Sequence, residues 1–148
     1  MKHDALGSVD AVRGDNIVTM TWHGERRFEA GRSGAPTIRM DGDATTAPSP
    51  VDTLISALAG CTAVDVVDIL KKRRTEPTAL DMVITAQRAD GTPRRLVKVH
   101  LAYRITGGGV ERDHALRAIE LAVTKYCSVR DSLDPELPVT WSLELLPG

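Results

Sequence analysis

Aromatic side chains are scarce in this chain: one Phe, two Tyr and two Trp make up 3% of its 148 residues. A platform for single-stranded nucleic acid needs an exposed ring for each stacked base, so that class of function is not expected. Charge of one sign is lacking too. The formal net charge is -1, which gives no overall attraction to phosphate backbones or anionic membranes. No nucleic-acid or membrane partner is therefore expected. The most apolar stretch, Leu54 to Leu70, carries Asp65 and Asp68 and falls short of the roughly 20 residues a bilayer demands. Met1-Lys2-His3-Asp4 has no apolar run behind it, so no secretory leader is expected. Repeats, low-complexity tracts and Pro-rich linkers are missing as well. These absences point to a cytoplasmic protein whose residues 1–148 form one domain.

What is present is the balance of an ordinary globular protein, with 42% hydrophobic and 26% charged residues. Cysteine is rare but not absent. Cys61 and Cys127 lie 66 residues apart, and in a reducing compartment a structural disulfide is not expected. Inert buried thiols, a metal site or redox chemistry remain. His3, His23, His100 and His114 show no ligand spacing to each other or to either cysteine, so no metal site is expected. Gly107-Gly108-Gly109 precedes a helix, but Glu111 and Asp113 would repel a phosphate there and no Lys-Ser or Lys-Thr follows.

The patterning predicts an α+β fold in the order β-β-β-α-β-β-α-β, mostly antiparallel. Ile17 to Trp22 is rich in strand formers, Arg26 to Glu29 returns, and Thr37 to Met40 follows Gly31 and Gly34. Ser49 is placed to cap a helix, with Pro50 in its first turn and Asp52 at the capping-box position. Leu54, Leu58, Thr62, Val66 and Leu70 then recur at helical spacing, and Lys71 to Arg74 complement the dipole at the far end. Ala57, Ala59, Gly60 and Ala63 make this helix narrow and apolar nearly all round, which predicts burial at the centre of the fold. Leu80, Met82 and Ile84 alternate in a fourth strand, and Val97 to Ile105 alternate in a fifth. A second helix is expected from Glu111 to Tyr126, a short turn or helix at Cys127 to Leu133, and a last strand through Val139, Trp141, Leu143 and Leu145.

The segment from Ser49 through Asp52 and Cys61 to Asp65 resembles the first cysteine motif of the OsmC/Ohr family. In that motif a Pro-x-acid start leads through a small-residue helix to a reactive cysteine. Lys125-Tyr126-Cys127-Ser128-Val129 resembles the second motif, and the spacing suits it. The likeness runs from about Trp22 to the C-terminus, and the run from Cys61 to Arg73 is closest to the OsmC-like branch. It implies a thiol-dependent reductase of organic hydroperoxides, built as an intertwined homodimer around the central helix. By position Cys61 would be the peroxidatic sulfur and Cys127 the resolving one. No bound cofactor is implied, only an external dithiol reductant. Arg39 matches the family's activating arginine and Asp52 its acidic position, one methylene shorter than the Glu often found there; Arg26 and Arg27 are the alternative cations.

Two constraints bear on that implication. Asp52 and Cys61 are nine residues apart, so on a straight helix they face opposite sides roughly 13 Å apart. One site using both needs Arg39 as a bridge or Asp52 from a second subunit. Asp65, one turn after Cys61, would oppose thiolate formation unless a cation offsets it. The alternative is a non-catalytic dimer of the same fold that binds a small apolar or thiol-containing ligand, its cysteines only lining the pocket.

Overall fold

The computed structural model describes residues 14–148, and the leader reading at Met1 to Asp4 and His3 lie outside them. The chain forms two compact units, one ending at Thr53 and one running from Leu54 to Gly148. The element order is the one the patterning predicts, with two three-stranded sheets.

In the first unit, β1 (Thr19–Trp22), β2 (Arg27–Gly31) and β3 (Thr37–Asp41) form an antiparallel sheet in chain order. Gly24 and Glu25 both take positive φ to turn β1 into β2, and the Trp22 indole N–H donates to the Glu25 carbonyl at 2.9 Å. After β3 the chain is organised by one carboxylate. Asp41 is 1% exposed and accepts from the Asp43 N–H (2.8 Å), the Thr46 N–H (3.0 Å), and the hydroxyls of Thr45 (3.0 Å) and Thr46 (2.7 Å). The Asp43 N–H, followed by the donors of Thr46, holds this carboxyl far below the ordinary carboxylate range.

In the second unit, α1 (Pro50–Lys72) lies on the sheet β4 (Ala79–Arg88), β5 (Leu96–Thr106) and β6 (Val139–Leu146). Its start follows the cap read from the sequence, since the Asp52 N–H donates to Ser49 Oγ at 3.1 Å. Leu58, Val66 and Leu70 of α1 are fully buried with Leu101 and Ile105 of β5. Burial of a side chain of that size stabilises by about 1.5–3 kcal/mol. α2 (Arg112–Leu121) adds Ala115, Ala118 and Ile119 to the same core. It continues through a π-helical turn, Ala122–Tyr126, into the four-residue α3 (Ser128–Asp131).

Three findings refine the expectation. β6 pairs with β5 in parallel, whereas the other three pairings are antiparallel. The crossover through α2 and α3 returns the chain in the direction of β5, which a hairpin cannot do. Second, α1 is not covered all round: Leu54, at the start of the buried row, is 39% exposed, and Val64, on the side away from it, 61%. Third, α1 has 23 residues and is long and apolar enough to span a bilayer by length and composition alone, although its buried stripe packs on β5 as a core helix does.

The Asp41 carboxylate yields a pH signature. Its native pKa lies below the unfolded value, so its stabilisation is present above about pH 4 and is lost as pH falls toward the native pKa. Asp41→Ala is expected to lower Tm at neutral pH, with the gap to wild type narrowing below pH 4. A calorimetric pH series checks it, and a gap that widens in acid would contradict it.

Candidate functional site

The second unit brings Cys61 and Cys127 together. Cys61 lies midway along α1, half-buried, on the helix side that borders the core. Cys127 follows the π turn, and its N–H bonds the Ala122 carbonyl five residues back at 2.9 Å. That wider turn shifts the residues after α2 relative to a regular helix; such turns recur at functional sites. Cys127 then caps α3, its Sγ accepting the Arg130 N–H at 3.2 Å. Both cysteines border the same core, and the Cys127 thiol responds to Cys61 as a neighbour.

The Cys127 thiol is held neutral. At 3% exposure, burial pushes its pKa up to about 11, the N–H of Arg130 opposes the rise, and the neighbouring Cys61 adds to it. A neutral Cys127 thiol keeps its proton and so can act as a hydrogen-bond donor.

Arg130, on α3, ties that short helix to the loop that follows it. Its guanidinium donates to the carbonyls of Asp134 (3.0 Å), Pro135 (3.4 Å) and Leu137 (2.9 Å). Beneath the pair, the Tyr103 hydroxyl donates to Thr62 Oγ1 at 2.5 Å, and Thr62 donates to the Ala59 carbonyl at 2.8 Å. Tyr103 is buried, and burial pushes its phenol up to about 12. Neither Arg130 nor Tyr103 is marked by sequence as part of a site. Inward alternation on β5 is the one signal for Tyr103, and a loop arginine gives none.

The other residues singled out by sequence fall in the first unit or at the head of α1. Arg39 is exposed on β3 in register with Glu29, whose carboxylate also takes the Thr37 hydroxyl at 2.5 Å and His23 Nε2 at 3.1 Å. A cavity of about 400 Å³ is lined by His23, Arg27, Glu29 and Arg39. Arg26 is engaged elsewhere, its Nε 3.0 Å from Asp43 and its Nη2 donating to the Gly42 carbonyl at 3.1 Å. Arg27 lies 3.5 Å from Glu25. Asp52 is exposed in the first turn of α1, on the same unbroken helix as Cys61. Among the described residues, no three His, Cys, Asp or Glu side chains gather as a metal site.

The sequence profile of the family described as OsmC-like protein matches residues 41–142, which contain both cysteines. The chain belongs to the OsmC-like family. Protein YhfA of Escherichia coli K12 is 34% identical over 110 residues, covering 74% of this chain and 82% of YhfA. A hypothetical protein from Aquifex aeolicus VF5 is similar in structure with TM-score 0.79 and 25% identity, over 89% of this chain and 96% of that one. The organic hydroperoxide resistance protein OhrB of Bacillus subtilis shares the fold at TM-score 0.57 and 13% identity, over 87% and 98% of the two chains. This OsmC-like chain thus has the fold its motifs imply.

The raised Cys127 pKa sets an expected titration. In Cys61→Ser, which removes the competing thiol, the rate of Cys127 alkylation by iodoacetamide should keep rising with pH beyond 9. A rate that levels off by pH 9 would show that burial does not hold this thiol neutral.

Proposed function

We propose that the protein reduces organic hydroperoxides through a Cys61–Cys127 redox pair. The approach of one neutral, buried thiol to one half-buried cysteine carries this reading. Family membership and the hydroperoxide-resistance protein among the structural neighbours support it. The Cys61 thiolate attacks a peroxide oxygen, the O–O bond breaks, and the alkoxide leaves and takes up a proton as the alcohol. Cys61 is then a sulfenic acid. The Cys127 sulfur attacks that sulfur, an S–S bond forms, the S–O bond breaks, and hydroxide leaves as water with the thiol proton. An external dithiol restores both thiols, and no bound cofactor takes part.

The remaining assignments belong to the same reading. Arg39 is the cation that favours the Cys61 thiolate, and Asp52 is the carboxylate that orients its guanidinium. Residues 1–148 act as one OsmC-like domain in a homodimer, with the exposed side of α1 at Val64 facing the partner. A cytoplasmic setting keeps both thiols reduced between turnovers.

Stoichiometric cumene hydroperoxide added to the reduced protein should remove both thiols, counted under denaturing conditions beside a hydrogen peroxide control. Cys61→Ser should consume no peroxide, and Cys127→Ser should stop after one equivalent. Two unreacted thiols under both oxidants would reject the peroxidase and favour the ligand-binding dimer. Sedimentation should show a dimer that Val64→Glu converts largely to monomer; an undisturbed dimer would place the interface elsewhere.

A further inference from the structure

Tyr103 is the largest fully buried side chain among the described residues, and its hydroxyl is not needed to fill space. A phenylalanine would occupy the same volume without a polar group to satisfy. The hydroxyl bonds Thr62 Oγ1, on the residue directly after Cys61. Thr62 has committed its own proton to the Ala59 carbonyl, so it accepts from Tyr103 and the chain of bonds runs in one direction. This bond ties the α1 turn that carries Cys61 to β5 across 41 positions of sequence. Tyr103 and Cys127 are both buried in the same core. Side chains from α1, from β5 and from the loop after the π turn thus meet around the two sulfurs.

We propose that Tyr103, acting through Thr62, is a positioning residue that holds the Cys61 turn facing Cys127 and thereby favours closure of the disulfide. This rests on the reading of the two cysteines as a redox pair. A helix turn fixed at one face by a buried bond leaves the neighbouring sulfur fewer orientations to lose when the S–S bond forms. On the other side, the Arg130 N–H holds Cys127 Sγ at 3.2 Å, and the Arg130 guanidinium ties α3 to the loop that follows it.

The test uses the full-length protein equilibrated in a glutathione buffer, acid-quenched, alkylated and counted by mass. One oxidised glutathione and the protein dithiol give the protein disulfide and two reduced glutathiones, so the equilibrium constant reads how well the two sulfurs are placed. Tyr103→Phe and Thr62→Val should each lower that constant about fivefold, because the ordering the bond supplies must then be met on closure. The double variant should fall no further than either single one, because both remove the same bond. Thr62→Ser, which keeps the hydroxyl, should stay within about twofold of wild type.

Unchanged constants in Tyr103→Phe, or losses that add fully in the double variant, would overturn the proposal. A packing role alone would lower Tm equally in the reduced and oxidised forms and leave the constant unmoved. Should Thr62→Val fail to fold, Tyr103→Phe decides by itself. Peroxide takes no part in this equilibrium. A wild-type pair that closes in glutathione yet ignores cumene hydroperoxide rejects only the peroxidase reading, while a pair that never closes rejects both.

Discussion

Everything distinctive in the second unit depends on the contact between one stripe of α1 and the inner face of β5. Leu58, Val66 and Leu70 pin the helix to that sheet, and Thr62 sits among them with a polar contact to β5. Because the anchor points lie on both sides of Cys61, its turn cannot rotate without exposing leucine and valine. The same stripe leaves the opposite side of α1 uncovered. A helix apolar nearly all round but packed on one side is the physical demand for another surface.

The two thiols sit in different electrical surroundings. Cys127 is enclosed by core residues and stays protonated, while Cys61 lies at the margin of that core. A sulfur that stays neutral does not compete as a nucleophile for incoming oxidant. It becomes useful only when a neighbouring sulfur turns electrophilic. In the proposed dithiol cycle, this difference in burial sets which sulfur acts first.

Much of the fold was legible because its signals are local. Ser49 and Pro50 mark the start of α1, alternation marks β4, β5 and β6, and the glycines close the short strands. The cysteine pair was legible because two motifs carry it. The parallel pairing of β6 was not, since alternation says which face is buried and nothing of a neighbour's direction. Nor was the Tyr103–Thr62 bond, which joins residues with no shared pattern. Arg130 reads as a solvated loop charge until the three carbonyls around it are seen.

The parallel docking of β6 also bears on how the molecule is made. Val99 bonds the Pro138 carbonyl, and β6 then runs the length of β5 almost to the C-terminus. The crossover that carries Cys127 is therefore closed at its far end only when β6 has left the ribosome. Cys61 emerges long before, without its partner sulfur. Throughout that interval it is a lone thiol on a nascent chain.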